Sequence, residues 1–378
     1  MRLVYVSGMG QVWGAYSPEV LDRPDAGTVG GGEAAMLESA FALAKRGHAL
    51  MMFYPGDRAE YRGVSFRPLR DAYRYVSGGD YDTLLTWSDS VAIRLAPSNV
   101  GRVFVQQLNN PPQGLTAWLA TDVLVGASAT HVHYLFDSVN LEWAGRHVPI
   151  LMAMPSGYRP ERYVEAPPLA DRGPVVGYWS SPDRGLHHLL SIWPAIRRAV
   201  PEATLRIFYH LQRFIKSARD DSMAGEIQWR AKILDRLTHP LPEGATDYGP
   251  IGRIELARHQ METRVHAYPC DPIFFTEGFG VAILEGLAAG CHVVARPVDA
   301  FPEVYGAEAV TWVPGGVCDE AWLGGYTTAV IDALKAPRRN EGAVAAVLDR
   351  YKRWEATAAA LEGAIGAAWS LALARSSF

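Results

Sequence analysis

The chain has 378 residues, 49% hydrophobic and 20% charged, which excludes disorder as its main state and leaves enough length for two α/β cores. Its net charge of −4 is spread evenly, with 14 basic against 16 acidic residues in 1–165 and 22 against 24 in the rest, so neither half is a basic nucleic-acid module. The three cysteines, Cys270, Cys291 and Cys318, cannot all pair and form no close ligand cluster, which favours a reducing, cytoplasmic setting without a cysteine-based zinc site.

Leu3–Val6 reads as a buried first strand, and its start at Arg2 leaves no room for a signal peptide. Gly8-Met9-Gly10-Gln11-Val12-Trp13-Gly14 mimics a dinucleotide fingerprint. That fingerprint needs a helix opening at its glycines, and Pro18 and Pro24 interrupt the stretch instead. The helix begins after the turn Gly30-Gly31-Gly32, with Ala35, Leu37, Phe41, Leu43 and Ala44 as its apolar positions and Arg46-Gly47-His48 as its end. Ala49–Tyr54 follows as a second strand, the strand–helix–strand opening of a parallel sheet. Asp80-Tyr81-Asp82 has the look of a metal-binding Asp-X-Asp, but Thr83–Trp87 directly behind it makes it a strand entrance. Val103–Gln107 is a further strand, broken by Leu108-Asn109-Asn110-Pro111-Pro112. Residues just past a strand's carboxyl end line the ligand crevice of an open sheet, which singles out Asn109. If the strand Val123–Ala127 continues, His131 and His133 share one of its faces; with no third ligand near, both read as structural.

Pro167-Pro168 and Gly173-Pro174 mark a passage into a second domain, where the strand Val175–Trp179 restarts the pattern. Ser180 to Leu186 leads into a helix over Leu189–Val200 and a strand at Thr204–Tyr209. Asp247–Ile251 and Val265–Pro269 lead up to Phe274–Ala289; strands are also expected at His292–Arg296 and Val310–Val313, and helices at Trp322–Leu334 and from Glu341 onward. No apolar run approaches the length of a membrane span.

The chemistry concentrates at Phe274–Ala289, FFTEGFGVAILEGLAA. Gly278 and Gly280 let the backbone turn tightly and approach a ligand, and the amides of Phe279, Gly280 and Val281 form a helix start suited to phosphate. Glu277 stands just before that start. Glu285 follows within the first turns, among neighbours so apolar that its carboxylate needs a partner.

TEGFGVAILEGLAAG, with seven residues between Glu277 and Glu285, resembles the signature of retaining GT-B glycosyltransferases of the glycogen-synthase-like, family 4-like group. The resemblance implies an α/β GT-B fold: two Rossmann-like domains with parallel sheets facing an interdomain cleft. It assigns residues 1–160 to the acceptor side, 161–353 to the nucleotide-sugar donor, and 354–378 to a helix crossing back to the first domain. In that family the first Glu and the following amides meet donor sugar and diphosphate, and the second Glu holds the ribose. Carried over, Glu277, Gly278, Phe279, Gly280, Val281 and Glu285 bind donor, with Gly31 and Gly32 facing the diphosphate. Arg184 fills the position of the family's phosphate-binding Lys. Three departures stand out. A Ser near Ser181 replaces the family's Arg, leaving Arg213 or Lys216 as substitutes; Gln107 and Asn109 replace a His; Ser156-Gly157 replaces the common Asn-Gly.

The activity implied is transfer of a sugar from a UDP- or GDP-sugar to an unknown acceptor hydroxyl, with retention and with no cofactor or metal. Glu277, Arg184 and Asn109 carry it. Glu277 orients donor hydroxyls, because no nucleophile–base pair supports a covalent glycosyl-enzyme. The aromatic, proline-bearing stretch Gln11–Gly27 is an acceptor loop or plain surface. A local basic patch, and with it a weak peripheral membrane contact, is compatible with the even charge balance. Three alternatives stay open: a sugar-nucleotide epimerase, a phosphorylase, and a non-catalytic glycosyltransferase-like partner protein.

Overall fold

The structure, a computed structural model, describes residues 1–8, 15–23, 25–105, 115–138, 147–220, 227–272, 275–316 and 319–377. They form two compact units. The first comprises residues 1–159, 275–279 and 350–378; the second comprises 160–274 and 280–349.

The first unit is built on strands β1 (Arg2–Ser7), β2 (Ala49–Tyr54), β3 (Ala59–Tyr61), β4 (Val64–Pro68), β5 (Thr83–Trp87), β6 (Gly101–Val105), β7 (Val123–Gly126) and β8 (Ile150–Ala153), in the order β3-β4-β2-β1-β5-β6-β7-β8. All pairings are parallel except β3 with β4 at the edge. Alternation sorts the side chains into two cores. Leu3, Tyr5, Met52, Tyr54, Leu85 and Val103 pack with helix α1 (Gly31–Lys45). Val4, Val6, Phe53, Leu84 and Phe104 pack on the opposite face with α2 (Ala72–Gly78), α3 (Ser90–Leu95), α4 (Leu115–Ala120) and α5 (Ala129–Asp137).

The second unit carries β9 (Val175–Tyr178), α6 (Leu186–Ala199), β10 (Thr204–Ile207), α7 (Leu211–Asp220), α8 (Ile227–Thr238), β11 (Ala245–Asp247), α9 (Arg253–Glu262), β12 (Val265–Tyr268), α10 (Val281–Ala288), β13 (His292–Ala295), α11 (Phe301–Tyr305), β14 (Thr311–Trp312), α12 (Leu323–Lys335) and α13 (Glu341–Arg350). Its sheet is parallel throughout, in the order β11-β10-β9-β12-β13-β14. The central β12 and β13 are buried at every position, as strands covered on both faces must be.

The last helix, α14 (Glu355–Ser376), belongs to the first unit and lies along β6, β7 and β8. Leu361, Ala364, Ile365 and Ala368 enter its core, and Arg375 clasps the buried Asp122 through both guanidinium nitrogens, at 2.6 and 3.0 Å. This helix corrects one expectation. It is 22 residues long and contains an 18-residue window with a mean hydropathy of 1.3, enough by length and composition to span a bilayer. Its small apolar residues serve close packing on the sheet instead.

Two smaller corrections follow from caps. Gly31 and Gly32 are the first turn of α1, with Gly30 as its cap, rather than a turn ahead of the helix. His131 and His133 sit on α5, not on a continued strand. Strand β7 stops at Gly126, and Ser128 caps the helix by accepting from the His131 amide at 3.1 Å. Two residues apart on a helix, the histidines point to different sides.

Candidate functional site

In the second unit the site is organised by the amino end of α10. Its cap, Gly280, is left-handed (φ 79°), and a Cβ there would run into the ring of Phe301, so only glycine fits. The Tyr305 hydroxyl donates to the Gly280 carbonyl at 2.7 Å and fixes the turn. No side chain caps this end, which leaves its backbone donors to meet an anion.

Glu285 lies on the inner side of α10 and is buried, and α9 supplies its partners. Arg253 Nη1 and Gln260 Nε2 each donate to one carboxylate oxygen at 3.1 Å, and the Tyr163 hydroxyl donates to the Gln260 side-chain oxygen Oε1 at 2.9 Å. The carboxylate is therefore neutralised within the unit and held in one orientation. Bound on one side to each oxygen, it retains lone pairs for a hydroxyl ligand. Neither Arg253 nor Gln260 was singled out by sequence, because α9 is a polar helix with a weak apolar stripe.

Behind α10, Trp179 Nε1 donates to the Ala282 carbonyl at 3.0 Å while its ring stacks on His266, centroids 3.9 Å apart. His266 Nδ1 lies 3.1 Å from the Gly177 carbonyl, which fixes the proton on that nitrogen; burial pushes the imidazole down to about 3, so it stays neutral. Just upstream of the motif, Asp271 binds His188 at 3.1 Å and Arg296. Arg296 also holds the carbonyls of Gly315 and Gly316 and lies over the Trp322 ring. Burial alone would raise the Asp271 carboxyl, but His188 and the Arg296 guanidinium hold it below the usual range.

Arg184 closes the short turn Pro182–Arg184, where its guanidinium pairs with the neighbouring Asp183 at 2.6 Å and is 19% exposed. It is a half-buried, ion-paired cation rather than a free one. The Ser181 carbonyl accepts from the Arg184 amide at 2.9 Å and from the Tyr178 hydroxyl at 2.7 Å, which locks the turn. Arg213 and Lys216 are both exposed on α7.

In the first unit, residues 275–279 pack on α5. Phe275 stacks between His131 (5.4 Å) and Tyr134 (4.4 Å), and the Gly278 backbone lies against the His131 ring. The Ala127 amide donates to His131 Nδ1 at 3.1 Å, which puts the neutral ring's proton on Nε2. Glu277 is buried within this segment. The structure thus brings His131 against Phe275 and Gly278, a neighbour that its sequence position did not reveal. Gly31 and Gly32 open α1 in the same unit.

Gln107 and Asn109, and the stretch Met9–Gly14, lie outside the described residues. Asp80 and Asp82 are both bound by Arg2, and among the described residues no group of three or more His, Cys, Asp or Glu side chains is arranged for a metal.

No protein-family model and no curated protein matches the chain. Solved structures do. The chain is similar to AviGT4, a glycosyltransferase involved in avilamycin A biosynthesis (TM-score 0.64, 13% identity, 99% of each chain covered). It is similar to HepE of Anabaena in complex with UDP and glucose (0.62, 15%, covering 96% of this chain and 99% of that one). It is also similar to sucrose-phosphate synthase of Thermosynechococcus elongatus (0.55, 15%, covering 93% and 98%). The fold is GT-B. At these identities the likeness is one of backbone, and the GT-B chain's chemistry has to be argued from its own residues.

Proposed function

We propose that this GT-B chain is a glycosyltransferase that moves a sugar from a nucleotide-diphosphate sugar, a UDP-sugar first among the candidates, to an acceptor hydroxyl, with retention and without a metal. The observation that carries the reading is the uncapped amino end of α10 behind the obligate Gly280, with Glu277 before it and Glu285 after it. HepE has been solved with UDP and with UDP-glucose, which supports a uridine donor. In this reading the amides at Gly280 and Val281 with Arg184 meet the diphosphate, whose charge grows as it departs. Glu285 accepts from the ribose hydroxyls, Glu277 orients donor hydroxyls, and Gly31 and Gly32 face the diphosphate from α1. Asn109 is a candidate contact to the donor sugar. The departing phosphate takes the acceptor proton, so no enzyme nucleophile is required.

The competing reading is a non-catalytic glycosyltransferase-like protein. Ser181 in place of an arginine and the Asp183–Arg184 pair favour it, since both subtract from the positive charge available to a diphosphate. Incubation with radiolabelled UDP-glucose and GDP-mannose in excess chelator separates the two. A transferase hydrolyses one donor slowly without acceptor and keeps doing so in chelator. Absence of donor binding supports the second reading, and activity restored only by manganese or magnesium overturns metal independence.

A further inference from the structure

The first unit has a pocket that the reading above does not use. Helix α2 is only seven residues long and ends at Gly79, so it buries Ala72 and Val76 but leaves the margin of the sheet over β2 and β4 uncovered. Met51 and Phe53 of β2 form the floor, with Arg67 of β4, Arg58, and Arg74 and Tyr75 of α2 around it, enclosing about 550 Å³. That volume suits a small molecule. Met51 and Phe53 face away from Met52 and Tyr54, which pack with α1, so the pocket lies on the opposite side of the sheet from Gly31 and Gly32.

Its chemistry is two-sided. The half-buried Tyr75 and Met51 offer an apolar wall, with Tyr75 tilted by 46° on the buried Phe53 at 5.4 Å between ring centroids. Three guanidiniums stand around it. Arg67 is engaged by Glu60 at 3.3 Å, whereas the side chains of Arg58 and Arg74 make no hydrogen bond or ion pair among the described residues. Of the two carboxylates in the lining, Asp80 is held by Arg2 at 2.6 Å, and the exposed Asp71 offsets one of the two arginine charges. A purely apolar ligand would desolvate the positive charge by which Arg58 and Arg74 exceed Asp71, and a bare anion would leave the apolar wall wet. A planar guanidinium fork fits a phosphate, sulfate or carboxylate through two hydrogen bonds.

We propose that this pocket is a second binding site, for a small organic oxyanion carried on an aromatic or other flat apolar group. It is independent of the transferase reading and shares no residue with it. The test is a fluorescence titration of the full chain with 1-anilinonaphthalene-8-sulfonate, an aromatic sulfonate. One saturable site is expected, displaced by phenyl phosphate but by neither phenol nor UDP. The double variant Arg58→Ala/Arg74→Ala should bind at least tenfold more weakly with an unchanged melting temperature, since both side chains are exposed. Arg70→Ala, an exposed arginine outside the lining, should bind as the parent does. The proposal is overturned by non-saturable binding, by equal affinity in the double variant, by an equal loss in Arg70→Ala, or by displacement with UDP.

Discussion

Gly278 and His131 are so close that no side chain fits between them: a Cβ on Gly278 would stand 2.6 Å from the imidazole Nδ1. The pair seats residues 275–279 on α5 and sets where Glu277 lies. Gly278→Ala should destabilise the protein by about 1–3 kcal/mol through overpacking, and lower donor turnover with it. Adding His131→Ala opens the space, so the double variant should lose less stability than the two single losses combined. Strictly additive losses in urea denaturation would show that the contact does not set the segment's position.

Glu285→Gln keeps the shape of the side chain but removes its charge from Arg253. UDP affinity should fall by roughly 1–3 kcal/mol, the worth of a hydrogen bond to a charged group. Calorimetry on the folded variant decides. A lowered unfolding midpoint with unchanged UDP affinity would leave Glu285 a purely structural anchor for α9.

Arg184→Ala should reduce turnover on the order of 10²–10³-fold, as for other preorganised charge-stabilising groups, and Arg184→Lys should recover part of it. The ion pair with Asp183 adds a sharper test. Asp183→Asn removes a competing negative charge beside the guanidinium and should tighten UDP binding several-fold. Near-native turnover in Arg184→Ala would move attention to Arg213 and Lys216.

The second unit should be acid-sensitive through two buried neutral histidines. Burial lowers His266 to about 3, and burial with the nearby Arg339 charge lowers His292 to about 4. Once the pH drops below the unfolded value of about 6.5, the unfolded chain takes up protons that the folded chain refuses. The stabilisation is therefore complete above about 6.5 and is lost as pH falls toward 4 and 3, at about 1.4 kcal/mol per unit for each histidine. Between pH 7.5 and 5.0 the two together should cost roughly 4 kcal/mol. His266→Asn should halve that dependence in urea titrations; a slope as steep as the parent's assigns the sensitivity to other groups.

Much of this fold is written locally. The runs at Leu3–Val6, Val175–Tyr178 and His292–Ala295 are apolar because both faces of a parallel strand are covered, and the opening of α10 carries its own glycine signal. What escaped depends on partners far along the chain. The alternation of His131 and His133 imitates a strand, and Ser128, three residues before His131, was the available sign of a helix cap. The partners of Glu285 sit 32 and 25 residues earlier on a helix whose inward face is only Leu256, Ala257 and Gln260. A polar residue in that inward set was the trace of a buried network. The Asp271–Arg296 pair is likewise invisible until β12 and β13 lie side by side.

The clasp between Arg375 and Asp122 spans 253 residues of chain. On a ribosome the first sheet emerges early, yet the helix that covers β6, β7 and β8 emerges only after the whole second unit. Until then the apolar surface awaiting Leu361 and Ile365 faces water and invites association with other nascent chains. Most of the second unit, by contrast, comes from nearly consecutive chain and can mature first. Synthesis order and completion order of the two units are therefore reversed: the one whose strands are made first is finished second. Loops closed over such distances fold slowly, which makes docking of α14 the natural late step of refolding.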